Sequence, residues 1–235
     1  MSDLFGDEPE QEVILAIKPT QRDMNRATIR VGLDKRRADG SKRKGRVVAT
    51  LNSRAISDLD LQVGQVWGAH LARLVEQATG QDKAMRAAMN RLSRRAMSRW
   101  MLTDKLKTLG HEPGVIDAVM DRLAELDLLD DERFGRALVR EVMARKAAGP
   151  ALLKQKLFQK GIRGELADKL IAEATADTEA QHDAAIAFAK KKAASMANLD
   201  KPTRDRRLYG QLARRGFAPD TIRAAMDAVK RGGDD

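Results

Sequence analysis

The chain has 235 residues, 33% of them charged and only 3% aromatic, with a formal net charge of +10 and a pI near 10.0. That size fits one or two domains, and the basic balance points to a polyanionic partner, nucleic acid ahead of an anionic membrane surface. The absence of cysteine excludes disulfides, thiol nucleophiles and thiolate metal sites and fits a reducing, cytoplasmic compartment; no apolar run is long enough for a membrane-spanning helix.

Residues 1–11 read as a disordered acidic tail without a hydrophobic signal region. Val13–Ile17, Ala27–Leu33 and Arg46–Leu51 are rich in β-branched or apolar residues and bounded by turn signals, which predicts three short strands of a small antiparallel sheet. Between the last two lies a hairpin loop with Asp39-Gly40 as its turn signal. The loop and the residue after it carry seven bases, Lys35, Arg36, Arg37, Lys42, Arg43, Lys44 and Arg46, against Asp34 and Asp39. Such density suits phosphate contact without base reading; a solvated surface loop is the alternative. Leu61-Gln62-Val63-Gly64-Gln65 predicts a turn into a linking helix over Val66–Gln77, completing a β-rich N-terminal domain over residues 12–78.

The remainder contains one unit three times. Aligning Gly110, Gly161 and Gly216 places Leu106, Leu157 and Leu212 four residues earlier, Leu102, Leu153 and Leu208 eight earlier, and Met120, Ile171 and Met226 ten later. In each unit the leucine pair marks one helix face, and the glycine supplies the left-handed residue that ends the helix. In the middle copy, Asp130 or Asp131 caps a helix with the stripe Phe134, Leu138, Val142. Gly149-Pro150 opens the next helix, and a third begins near Arg163 with Leu166, Leu170 and Ile171. The predicted fold is mainly α: tandem three-helix repeats over 79–129, 130–176 and 177–235 in an elongated curved array, preceded by the small sheet. Such a body suits binding to something extended better than it suits a deep reaction pocket.

No enzyme chemistry stands out, and no catalytic, cofactor or metal residues are assigned. His70, His111 and His182 lie in different units without ligand spacing. No phosphate-binding glycine loop or nucleophile elbow occurs. Asp130, Asp131 and Glu132 read as a helix cap and dipole complement rather than paired catalytic carboxylates. The methionines, Met85 and Met89 among them, read as core fillers. Two further basic clusters suit binding: Lys154, Lys156, Lys160 and Arg163 around Leu153 and Leu157, and Arg204, Arg206, Arg207, Arg214 and Arg215 around Leu208 and Leu212, with Tyr209 among them. Lys160 and Arg215 both stand one residue before their glycine, an arrangement open to a charge ladder or to ordinary helix C-terminal charge.

The segment Leu126–Ile162, with its apolar-Asp-Asp-x-x-Phe start, Arg136 and Arg140, Gly149-Pro150 and Lys160-Gly161-Ile162, resembles the RecX family. The likeness extends more weakly over Ala84–Val229, and Lys18-Pro19 with Val63-Gly64-Gln65 is similar to the front portion of longer members. Two departures stand out. Gly135 replaces a usual alanine, at about 1 kcal/mol of helix propensity, and the basic hairpin loop is an addition. The resemblance implies a regulator, not an enzyme, that lies in the groove of the RecA–single-stranded DNA filament and bridges its subunits; separately, no cofactor is expected, and a cytoplasmic monomer is the default reading. It further implies suppression of RecA ATPase, strand exchange and the coprotease activity behind the SOS response, with direct DNA contact in some members. On this reading Asp130, Asp131, Phe134, Gly149, Pro150 and Gly161 are structural. The alternative is a general basic nucleic-acid-binding protein acting without RecA.

Overall fold

The computed structural model describes residues 11–34 and 45–231. The acidic tail and the bases Lys35, Arg36, Arg37, Lys42, Arg43 and Lys44 lie outside the described residues. Within them the order is β1 (Glu12–Pro19), β2 (Arg26–Leu33), β3 (Arg46–Asn52), α1 (Ser53–Asp58), α2 (Ala69–Leu92), α3 (Arg99–Thr108), α4 (Pro113–Glu125), α5 (Asp131–Arg145), α6 (Pro150–Phe158), α7 (Gly164–Ala174), α8 (Thr178–Ala194), α9 (Lys201–Arg214) and α10 (Pro219–Arg231). The chain divides into two compact units, Met1–Arg91 with Leu106–Arg122, and Leu92–Lys105 with Leu123–Asp235.

In the first unit the three strands pair antiparallel in the order β1-β2-β3, with register slips at Ile14/Ala16 and Ile29/Arg30. Alternation buries Ala27, Ile29 and Val31 of β2, and Ile29 and Val31 join Ile14, Ala49, Leu51, Leu61 and Val75 in one core, with Trp67 packed at its edge. The predicted linking helix starts later than Val66. The Trp67 amide donates to the Glu12 carbonyl at 2.7 Å and the Ile14 amide to the Gln65 carbonyl at 2.9 Å, so this segment covers the free edge of β1. Gly64, at φ +91°, makes the turn that allows it. Once begun, α2 runs unbroken to Leu92, merging the linking helix with the first helix of the first repeat. Gly80 lies inside it, and a β-carbon there would meet nothing nearer than Val115 Cγ2 at 3.8 Å.

Among the described residues of this unit, one charged side chain is buried. Asp82 of α2 is 6% exposed and pairs with Arg26 of β2, whose Nη1 donates to Oδ1 at 2.9 Å and whose Nη2 lies 2.6 Å from Oδ2. Asn52 Nδ2 donates to the same carboxylate at 3.0 Å, while Arg26 Nη2 also donates to the Thr50 carbonyl at 2.9 Å. The network ties the sheet to α2 and pairs the two charges away from water, although Asp82 Oδ2 receives no hydrogen bond.

The second unit contains two complete helical cores. Val139, Val142, Leu152, Leu153, Leu157, Ile162, Leu170 and Ile171 form one, and Ala185, Ala189, Leu208, Leu212, Phe217, Ile222 and Ala225 the other. The face of α5 is rotated from the predicted stripe. Gly135, Val139 and Val142 are its buried residues, and Phe134 and Leu138 flank the core half-buried. A β-carbon on Gly135 would stand 3.0 Å from Ile162 Cδ1 and closer still to Leu170 Cδ1, so the methyl groups of α7 and its approach fill the space an alanine would take. Met89 is 41% exposed and fills no gap in the core.

Candidate functional site

Each repeat turn begins from the same local chemistry. The central helix ends two or three residues before its glycine, and Gly110, Gly161 and Gly216 all take positive φ, +80°, +80° and +77°. The last carbonyls of such a helix have no partner within it. Within the second unit, the carbonyls of the turn residues just after α6 and α9 are met by the start of another repeat's central helix. Ser98 caps α3, accepting from the Met101 amide at 3.2 Å, and its hydroxyl donates in a short bond to the Lys160 carbonyl. The Gly149 amide donates to the Arg215 carbonyl at 2.8 Å and the Ala151 amide to the Gly216 carbonyl at 3.1 Å. Ser98 and Gly149 each stand twelve residues before their own glycine, and Lys160 and Arg215 each stand one before theirs. One junction is therefore used twice, with a hydroxyl donor in one copy and a backbone donor in the other.

The acids of the Asp130-Asp131-Glu132 run serve three separate structural ends. Asp130 accepts from the Arg133 amide at 2.8 Å and caps α5. Asp131 accepts from the Arg99 amide at 2.7 Å, adding an anion to the N-terminus of α3. Glu132 accepts from Arg136 at 2.7 Å and Lys169 at 2.9 Å, and Arg136 reaches on to Glu173 at 2.5 Å, linking α5 to α7. The Arg136 hydrogen bond first, then that of Lys169, holds the Glu132 carboxyl below its ordinary range. A carboxyl depressed in the folded state stabilises at neutral pH, and that contribution is lost as pH falls through the lowered value. Glu132→Gln should therefore lower the melting temperature slightly at pH 7, with the difference vanishing in acid and shrinking in high salt, as thermal melts across pH and salt would show.

The predicted basic residues are not equivalent once folded. Arg46 pairs with Glu12 across the sheet at 2.6 Å. Lys154 pairs with Asp168 at 2.9 Å, and Lys156 lies 3.4 Å from Gln159 Oε1. The Arg215 guanidinium sits 4.8 Å over the Phe188 ring and reaches the Ala147 carbonyl at 3.5 Å. Arg204 is half-buried, whereas Arg206, Arg207 and Arg214 are exposed. Arg163 is exposed and lies 4.2 Å over the ring of Phe158, itself 56% exposed. Sequence reading passed over Phe158 and Trp100 as individual side chains. The signal was available by comparing repeats: ten residues before the glycine stand Trp100, Ala151 and Arg206, and three before stand Lys107, Phe158 and Ala213. Among the described residues no group of three or more His, Asp or Glu side chains is placed to hold a metal ion, and no helix is long and apolar enough to cross a membrane.

The three repeats find counterparts in known proteins. Family models for the first, second and third three-helix domains of RecX match residues 84–123, 130–171 and 179–226, each containing one of the three turn glycines and together covering more than half of the chain. The chain is 35% identical over 157 residues to the regulatory protein RecX of Halorhodospira halophila, covering 66% of this chain and 94% of that one. It is 34% identical over 147 residues to that of Prosthecochloris aestuarii, covering 63% and 93%. A crystal structure of regulatory protein RecX superposes with a TM-score of 0.76 at 20% identity over 92% of this chain and 99% of the other, a coverage that takes in the β-rich front. RecX from Lactobacillus salivarius superposes at 0.59 with 24% identity, covering 65% and 97%. Three domain matches in the order and register of the glycine repeat, and relatives aligned over nearly their whole length, establish that the chain belongs to the RecX family.

Proposed function

We propose that this protein binds the RecA–single-stranded DNA filament and suppresses RecA ATPase, strand exchange and coprotease activity, acting as a cytoplasmic monomer in recombinational repair and the SOS response. The observation that carries the reading is the alignment with proteins named regulatory protein RecX over more than nine-tenths of their length. The residues agree with a binding role. Their recognisable motif side chains cap helices and join repeats, while Arg163, Arg206, Arg207 and Arg214 stand exposed. We assign the β-rich segment 12–78 and the repeats 79–129, 130–176 and 177–235 as its working parts, with the loop bases Lys35–Lys44 as auxiliary phosphate contacts.

The test is RecA ATPase on single-stranded DNA, titrated with this protein. Activity should fall with added protein; an unchanged rate at stoichiometric excess would refute the proposal. The density of bases between Lys35 and Arg46 favours a second reading, direct coating of nucleic acid without RecA. Replacing Lys35, Arg36, Arg37, Lys42, Arg43 and Lys44 with alanine separates the two. A filament regulator keeps most of its effect on RecA, with weaker and less salt-dependent binding to bare DNA. A general coating protein loses its activity with its DNA affinity.

A further inference from the structure

Trp100 and Phe158 are large aromatic side chains left 47% and 56% exposed in a chain with few aromatics. The repeat supplies an internal control. Alanine or arginine replaces Trp100 at its equivalent positions, and lysine or alanine replaces Phe158, so the three-helix core requires a ring at neither. Both residues border one turn of the second unit, that of Gly161, Trp100 from α3 and Phe158 from the end of α6. The Gly161 amide donates to the Phe158 carbonyl at 3.0 Å, and Trp100 lies against Gly161, its Cδ2 2.8 Å from where a β-carbon would stand. Arg163 covers the Phe158 ring at 4.2 Å.

The two segments that carry the rings are basic. Residues 92–103 contain Arg94, Arg95 and Arg99 and no acid, and residues 149–164 contain Lys154, Lys156, Lys160 and Arg163 and no acid. Of these, Lys154 is neutralised by Asp168, whereas Arg94, Arg95 and Arg163 are exposed. Aromatic faces set among exposed bases match a polyanion that also carries flat, unpaired groups. In single-stranded nucleic acid the bases stack on rings and on guanidinium planes while phosphates meet the bases of the protein. A duplex keeps its bases stacked on each other and offers such a surface only phosphates.

We propose that Trp100 and Phe158, with Arg163 over the latter, form a stacking platform for the bases of single-stranded nucleic acid. The proposal deepens the filament reading by naming a surface for the strand itself, and rests on that reading for its biological setting. Binding of the full chain to oligo(dT) and to a duplex of equal length, across a salt series, tests it. Phe158→Ala should weaken oligo(dT) binding about tenfold, leave the slope of log affinity against log salt unchanged, and leave duplex binding unaffected. Phe158→Leu should behave like the alanine variant, since apolar bulk without a π face does not stack. In a Trp67→Phe background, Trp100 emission should be quenched by oligo(dT). Wild-type affinity for oligo(dT) in both Phe158 variants, no binding of oligo(dT) by the parent, or an indifferent Trp100 would overturn the platform. So would a Phe158→Ala variant that loses its effect on RecA while binding oligo(dT) normally, which would make the patch a protein contact. A parent protein that leaves RecA ATPase unchanged but binds oligo(dT) with the stated Phe158 defect would support the platform and sink the filament reading alone. Melting curves of each variant confirm that an exposed substitution leaves the fold intact.

Discussion

Alanine at Gly161 or Gly216 is expected to destabilise the protein by about 3 kcal/mol or more, while alanine at Gly110 costs only about 1 kcal/mol. All three glycines share one left-handed conformation, so the backbone penalty for a β-carbon is common to them. Their surroundings differ. A β-carbon at Gly110 meets nothing within 4 Å. At Gly216 it would stand 2.8 Å from Leu152 Cβ and 2.9 Å from Leu152 Cα, and at Gly161 it would enter Trp100. The obstacle at Gly216 is backbone at the start of α6, which cannot rotate away, and moving it breaks the Gly149–Arg215 and Ala151–Gly216 hydrogen bonds. Gly149→Ala isolates the steric part. Its φ of −92° suits any residue, yet its β-carbon would lie 2.6 Å from Phe217 Cα. Urea unfolding followed by circular dichroism should rank Gly216 and Gly161 well above Gly110, with Gly149 close to the former. Equal costs at Gly110, Gly161 and Gly216 would show that the inter-repeat junction contributes nothing to stability.

This junction explains which parts of the architecture sequence alone could reveal. The glycines, the leucine pairs and Pro150 are legible because each meets a local demand: a left-handed turn, a helix face, a first helical position. The donors that lock one repeat to another are not, because Ser98 and Gly149 share a position and an acceptor but no side-chain chemistry. The three strands are legible from their β-branched alternation, whereas the Val66–Trp67 segment is not. It is short, and its bonds to β1 depend on residues about fifty positions away. For the basic clusters, charge counting finds the side chains and misses their fates. Lys154 is held by Asp168 and Arg215 by Phe188 and Ala147, whereas Arg163 stays exposed beside a ring that a charge count ignores. Contacts fixed by tertiary neighbours leave no mark at the residue itself.

Asp82 is the extreme case, since a lone acid in the middle of a helix reads as solvent-facing. Asp82→Ala is expected to destabilise the first unit by about 3–5 kcal/mol, because it strands the Arg26 guanidinium without its anion. Arg26 and Asp82 are 13% and 5% exposed at their side chains, so water cannot replace the lost partner without opening the packing of α2 on the sheet. Asp82→Asn should cost most of the same amount: it keeps the shape but returns no charge to Arg26. Asn52, whose side-chain amide donates to Asp82 and whose side-chain carbonyl oxygen accepts from the Ala55 amide to cap α1, loses the first of these ties in the alanine variant. The sharper test is the pair replaced together. Arg26→Met with Asp82→Leu removes both charges and their desolvation cost, and should recover most of the stability lost by either single change. Trp67 packs on the core of this unit and Trp100 belongs to the other, so unfolding followed by Trp67 emission in a Trp100→Phe background reports the relevant transition. A midpoint for Asp82→Ala equal to that of the parent would show that the network is dispensable. A double variant no better than the single ones would show that the ion pair stabilises the sheet–helix packing beyond what apolar side chains of similar size can supply.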